Sequence, residues 1–326
     1  MDKISSNQSP PTIETHLAVA APGNPNEVKI GTPKYMLLSG FAGGIVSGGS
    51  HFLVTPLDVV HVRIQSHSPR FSKFFAAFRT TISEEGFRGL ARGWAPNLIG
   101  YSLQGFAKFG LYETLKKEYS AAIGEEFAAK HKTAIYLLAG ASAETAGTLL
   151  LAPFESVKIR VQTCAEIPPA FRRALPYIYQ AEGINGLFKG LVPLLLRQIP
   201  YTASKFVCFE TSREIIYKQV LMVDPITLNP SEKMAVTITA GIIAGMCCEV
   251  ISHPADVIVT QLYESPTTTF KSVVKSMDFK GLWVGTGARM VLIGVITGIQ
   301  LFLIDTVRSS FNLEKGKPLE RKICQY

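Results

Sequence analysis

The sequence predicts an all-α membrane protein of six transmembrane helices, two in each of three homologous repeats. Three observations lead there. A chain of 326 residues could form two soluble domains by length alone, but 47% hydrophobic and only 18% charged residues favour a membrane solvent. One strong internal period of about a hundred residues runs through the chain. Between the repeated blocks lie apolar stretches long enough to cross a bilayer.

Taken in order, residues 1 to 34 are rich in Ser, Pro, Asn and Thr, include Pro10, Pro11, Pro22 and Pro25, and read as a disordered lead. This lead has no apolar signal core and no arginine, and it carries Asp2, Glu14 and Glu27. No cleaved presequence is therefore expected, and any targeting signal is internal. Repeat 1 (35–124) holds spans near 35–55 and 95–115, repeat 2 (125–220) spans near 135–153 and 191–212, and repeat 3 (221–313) spans near 234–253 and 286–307. Residues 314–326 form a tail.

Each repeat opens its chemistry with the same block: TPLDVVHVRIQ (Thr55 to Gln65), APFESVKIRVQ (Ala152 to Gln162) and HPADVIVTQLY (His253 to Tyr263), so that Pro56, Pro153 and Pro254 lie 97 and 101 positions apart. A second block follows as EEGFRGLARG (Glu84 to Gly93), AEGINGLFKG (Ala181 to Gly190) and the worn MDFKGLWVG (Met277 to Gly285). The third is YETLK (Tyr112 to Lys116), FETSR (Phe209 to Arg213) and IDTVR (Ile304 to Arg308). Three blocks recurring three times in one order are specific, whereas a single Pro-x-acid match would mean nothing.

The spans are more polar than a lipid-facing anchor, because Ser47, His51, Gln104, Lys108, Glu144, Arg197, Lys205 and Glu249 fall inside them. Polar groups are expensive in hydrocarbon, so one face of each helix is expected to line a shared aqueous cavity, as a transporter requires. Gly40, Gly44 and Gly48 make a four-residue ladder for close helix packing, echoed by Gly241 and Gly245.

A formal charge of +8 would also suit a nucleic-acid binder, but the basic residues recur beside apolar helices and form no continuous patch, so no nucleic-acid partner is expected. Cys164, Cys208, Cys247, Cys248 and Cys324 contain no CxxC pair and imply neither a disulfide framework nor a zinc site. No glycine-rich phosphate loop, catalytic triad or metal-ligand spacing appears, which excludes the usual enzymes and calls for no cofactor or metal. The adjacent Cys247 and Cys248 are assigned to packing.

Pro-x-acid-x-x-base, an acidic-Gly block ending in basic-Gly, and aromatic-acid-x-x-base, three times over, resemble the mitochondrial carrier family. The match covers nearly everything after residue 35. Within it, Gly93 to Glu113, Arg197 to Glu210 and Ser252 to Asp256 look most like the phosphate-carrying members. The resemblance implies three-fold pseudosymmetry, both termini on the intermembrane side, short matrix helices and a multi-pass place in the mitochondrial inner membrane. It implies inorganic phosphate and a proton as cargo, moved by symport or as phosphate against hydroxide, by alternating access in a monomer surrounded by inner-membrane lipid such as cardiolipin. Two other readings stay open: a carrier of the same fold for a carboxylate or copper, and a degenerate carrier that no longer transports.

A proline inside a helix removes a backbone hydrogen bond, so Pro56, Pro153 and Pro254 should bend the odd spans toward one another. Family geometry would then pair Asp58 with Lys158, Glu155 with position 259 and Asp256 with position 61 as a matrix gate. Only Lys158 is an intact base, since the other two positions are Val259 and His61. The cytoplasmic gate should join Glu113 with Arg213, Glu210 with Arg308, and Asp305 with Lys116. Three pairs against one predict an equilibrium leaning matrix-open, with His61 either strengthening the matrix gate when protonated or serving as a neutral replacement.

His51 lies seven residues before Asp58, about 700° of helix turn, so both share a face. It matches the histidine that phosphate-carrying relatives use for proton coupling. Glu144 and Glu155 are eleven residues and about 1100° apart, again on one face, and can relay a proton. The aspartate the family places between them is Thr148 here. Five residues before each repeat proline stand His51, Thr148 and Glu249, and Glu249 replaces a small family residue. Glu249 is expected either to pair with His51 or to be a satisfied buried acid. Arg197, with Gln198 and Gln104 nearby, should hold the anion through its planar fork of donors. Lys108 and Lys205 either join that site or pair with the gate acids.

Overall fold

The computed structural model describes residues 28, 32–66, 71, 73–222, 228–264 and 268–310. Nearly all of the expected lead and the whole tail lie outside the described residues, as do the side chains of Glu210, Asp305 and Arg308.

Helix α1 (Pro33–Leu53) starts where the Thr32 hydroxyl accepts the Tyr35 amide at 3.1 Å, with Pro33 in the first turn. It begins inside the residues assigned to the lead. It stops at Val54 because Pro56 has no amide hydrogen to continue the ladder, and α2 (Thr55–Gln65) sets off from that break. In order follow α3 (Phe74–Leu90), α4 (Trp94–Ile123), α5 (Glu125–Lys130), α6 (Lys132–Thr163), α7 (Phe171–Phe188) and α8 (Leu191–Ile215), which runs into a π-helical turn at Ile216–Leu221. Then come α9 (Pro230–Glu264), α10 (Phe270–Ser276), a 3₁₀ turn at Gly281–Trp283 and α11 (Thr286–Ser310). Of the three expected kinks, only Pro56 interrupts a helix; Pro153 and Pro254 sit within α6 and α9 as continuous helices.

The described chain is thus all-α, with a long helix over each expected span. Among the described residues, four stretches are long and apolar enough to cross a membrane: Pro33–Leu53, Ala134–Thr163, Ser231–Tyr263 and Gly281–Ile304. Helices α4 and α8 have the length but carry Lys108, Glu113 and Lys116, or Arg197 and Lys205, which lowers their hydropathy.

The glycine ladder of α1 is a packing device. A methyl at Gly40, Gly44 or Gly48 would come within 3.0 Å, 3.0 Å and 2.9 Å of the backbone oxygens of Phe106, Ser102 and Leu98 on α4. The backbones touch along a whole seam. Gly241 and Gly245 of α9 instead face side-chain atoms of Leu301, Thr297 and Ile293 on α11.

Two of the short connecting helices are held by repeated ion pairs. Arg63 of α2 meets Glu85 of α3 at 2.8 Å, and its counterpart Arg160 of α6 meets Glu182 of α7 at 2.8 Å. Just after each acid, Gly86 and Gly183 adopt positive φ (67° and 66°), turning the chain where a side chain would be strained. Where the odd helices converge, Val62, Ile159, Val259 and Tyr263 form a buried apolar cluster with Ala152 and Leu194, drawing on all three repeats. That cluster anchors the floor of the site.

Candidate functional site

Above this cluster lies a cavity of about 450 Å³. Eight residues singled out from the sequence line it: His51, Gln104, Lys108, Glu144, Arg197, Gln198, Lys205 and Glu249. The cavity reaches Phe209 and Ile304, the first residues of two of the third blocks, at its other end.

The floor is a buried charge network assembled from every repeat. Lys158 of α6 stands between Asp58 of α2 at 3.4 Å and Glu155 of its own helix at 3.0 Å. The expected Asp58–Lys158 pair is therefore present. Glu155, whose expected partner position holds Val259 in place of a base, receives Arg197 of α8 at 3.6 Å, and the same guanidinium lies 2.5 Å from Asp256. His61 sits 3.5 Å from Asp256, as its position required. Two glutamines add neutral bonds: Gln65 donates to Asp256 at 2.8 Å, and Gln162 donates to Asp58 at 3.2 Å.

Arg197 thus occupies the expected level but is engaged with two carboxylates. This end holds more than the single ion pair expected from the sequence, because Arg197, Gln65 and Gln162 also join it, and the network is formed in this structure. At the opposite end Glu113 is bonded to Lys116 of its own helix, and Lys116 lies 5.0 Å from the Tyr136 ring. Arg213 lies over the Phe209 ring at 5.9 Å. Glu210, Asp305 and Arg308, expected in that gate, fall outside the described side chains.

Midway up the cavity, Glu144 gathers Lys108 at 2.5 Å, Gln104 at 2.7 Å and Thr202 at 2.8 Å. Lys108 thus pairs with the relay acid, not with a gate acid. Lys205 has no carboxylate within ion-pair distance among the described residues and lies over the Tyr201 ring at 5.3 Å.

His51 stacks on Tyr101 with ring centres 3.5 Å apart and places Nδ1 2.9 Å from the Ser47 carbonyl oxygen. A carbonyl only accepts, so Nδ1 carries the hydrogen and Nε2 remains an acceptor when the ring is neutral. Glu249 lines the same cavity, but its ion partners are Arg289 of α11 at 3.2 Å and His253 at 3.6 Å. The structure does not bring Glu249 and His51 into contact. Thr148 is fully buried, and its hydroxyl has no hydrogen-bond partner among the described residues.

Arg289 was missed from sequence. Counting eight residues on from Arg92, Lys189 and Val284, each just before the closing glycine of a second block, gives Gly100, Arg197 and Leu292 as equivalent positions, and three residues earlier stand Asn97, Leu194 and Arg289, so the repeat contained the signal. Gln65 and Gln162 were also legible, each standing seven residues after a gate acid, the spacing that put His51 on the face of Asp58.

Residues 32–122, 129–220 and 230–315 each match a family model described as "Mitochondrial carrier protein". The chain is 43% identical over 303 residues to "Phosphate carrier protein, mitochondrial" of Caenorhabditis elegans, covering 93% of this chain and 88% of that one. It is 41% identical over 311 residues to "Solute carrier family 25 member 3" of Bos taurus, covering 95% and 86% respectively. "Mitochondrial phosphate carrier protein 2, mitochondrial" of Arabidopsis thaliana is 41% identical over 303 residues, 93% of this chain and 83% of its own.

Proposed function

The chain belongs to the mitochondrial carrier family, and from that premise we propose that it is a multi-pass inner-membrane transporter importing inorganic phosphate together with a proton. Symport with a proton and exchange against hydroxide are equivalent in balance. The family is one of transporters, not enzymes. The long helices α1, α4, α6, α8, α9 and α11 serve as the six spans, with α4 and α8 turning their charged faces to the cavity water. The working unit is the monomer, in contact with inner-membrane lipid, cardiolipin included.

The observation that carries this reading is one cavity whose cations are poised above a floor of acids from three repeats. Phosphate entering from the cytoplasmic side meets Lys205, the cavity cation that no described carboxylate engages. Deeper, it competes with Asp256 and Glu155 for Arg197. An anion that takes that guanidinium loosens the matrix gate, so substrate binding and opening are coupled through one side chain. His51, Glu144 and Glu155 supply proton-carrying groups along the same route, because each is an ionisable group buried between spans.

The test is uptake of labelled phosphate into liposomes containing the purified protein, with and without an outside-acid gradient. Uptake that rises with the gradient in wild type, is lost in Arg197→Ala and loses its gradient dependence in His51→Ala is expected. Thr148 and Glu249, which depart from the phosphate-carrying pattern, favour a different small anion as the second reading. If an unlabelled carboxylate competes better than phosphate, that second reading replaces the first.

A further inference from the structure

Glu249, His253 and Asp256 of α9 are buried, with one ligand atom of each lying within 4.8 Å of the others. Such a trio could hold a metal ion. Two guanidiniums already face it: Arg289 lies 3.2 Å from Glu249 and 3.7 Å from Asp256, and Arg197 lies 2.5 Å from Asp256. Among the described residues, the cavity and its floor together hold five carboxylates (Asp58, Glu144, Glu155, Glu249, Asp256) and five basic side chains (Lys108, Lys158, Arg197, Lys205, Arg289). A divalent ion would leave two buried charges without a counter-ion, which low-dielectric surroundings penalise. A proton brings only one.

The geometry has a place for it. His253 Nε2 is 3.1 Å from the Val284 carbonyl oxygen, which can only accept, so Nε2 carries the hydrogen. Nδ1 then turns its lone pair toward Glu249 Oε1 at 3.6 Å, an oxygen that also faces Arg289 Nε at 3.2 Å, and among the described residues neither Nδ1 nor Oε1 has a hydrogen bond of good geometry. Facing lone pairs on side chains that are 0% and 1% exposed are unfavourable until a proton lies between them. The other groups turned to this pair are Arg289 from α11, Tyr201 and Arg197 from α8, and, through Asp256, His61 from α2. His61 is the rival site for a proton. Its partner Asp256, however, already accepts Gln65 at 2.8 Å and Arg197 at 2.5 Å.

We propose that Glu249 and His253 form a proton-binding pair, and that the shared proton releases Arg289 from Glu249 so that its guanidinium can take the phosphate anion. This rests on the phosphate and proton reading above. While Glu249 is ionised it competes with phosphate for Arg289; once the proton is shared, that competitor is gone. With the charges of the cavity balanced, a proton alone leaves it one charge positive and a monoanionic phosphate alone leaves it one charge negative. Each ion therefore favours the binding of the other, and the coupling is reciprocal.

Purified protein in liposomes is given an outside-acid gradient of one pH unit, and labelled phosphate accumulation is followed, each variant being normalised to its own phosphate-for-phosphate exchange. One coupled proton corresponds to about tenfold accumulation in wild type, since a pH unit is a factor of ten in proton activity. Glu249→Gln and His253→Gln are expected to accumulate phosphate to a ratio near one, and Glu249→Asp to recover part of the response. Should either variant lose exchange, the rise in melting temperature that phosphate causes in detergent decides instead: larger at pH 6 than at pH 8 relative to wild-type behaviour for an intact pair, and flattened in both variants. Wild-type responses in both variants overturn the pair, and so does a loss confined to His61→Gln. Failure of wild type itself to accumulate phosphate with the gradient would sink the underlying reading instead.

Discussion

Arg197 and Lys205 lie on one helix, eight residues apart, and do different things. Arg197 joins Asp256 to Glu155 across two repeats, whereas Lys205 rests on the Tyr201 ring without a carboxylate. Replacing Arg197 with Met removes the shortest ion pair of Asp256, leaves the buried floor one negative charge in excess, and is expected to cost about 3–5 kcal/mol, read as a lower melting temperature of the detergent-purified protein. Lys205→Met removes only a charge-assisted contact to the anion and is expected to raise the KM for phosphate about tenfold, with melting unchanged. An equal loss of stability in both variants would contradict this division. The sequence marks both as charged residues inside one span, and eight residues put them about 800° apart on α8, some 80° past two turns. It could not say which carboxylate each one reaches, since that depends on side chains arriving from other repeats. The pairing expected between Glu249 and His51 failed for that reason: Arg289 and His253 are nearer to Glu249.

The helices were legible wherever apolar runs ended in repeated blocks, and Pro56 marked a true break. Pro153 and Pro254 were not legible as interruptions, because a proline withdraws one hydrogen bond while packed neighbours hold the rest of the helix. The seam between α1 and α4 was readable as a glycine ladder, and it carries a sharp test. A methyl at Gly43 would lie 2.7 Å from the Gly105 backbone oxygen, so Gly43→Ala is expected to destabilise by about 1–3 kcal/mol through overpacking. Gly49, on the same helix, has nothing within 4 Å of the added atom. Gly49→Ala is therefore expected to be neutral or to stabilise by up to about 1 kcal/mol through reduced chain entropy. Thermal unfolding of the two variants side by side checks both, and equal effects would remove the seam argument.

At the scale of the whole protein, three-fold repetition could be read from the sequence because homologous blocks return in one order. The conformation could not, since it is set by charges that meet only after the repeats assemble. His61 lies 3.5 Å from Asp256 in the closed floor. His61→Lys places a permanent charge there and should favour the matrix-closed state about fivefold or more, the scale of typical coupling energies. Gln300 lines the cavity, so with Gln300→Cys as a reporter in a variant whose native cysteines are replaced by serine, an impermeant thiol reagent should then label faster from the intermembrane side, and an unaltered side preference would dismiss the effect. The α1–α4 seam has a further consequence for motion. Contact between main chains has no rotamers to rearrange, so the first repeat should travel as one rigid plate, while Leu301, Thr297 and Ile293 let α9 and α11 slide past each other. Spin labels bridging the first pair of helices should keep their separation throughout the transport cycle, and labels bridging the last pair should not.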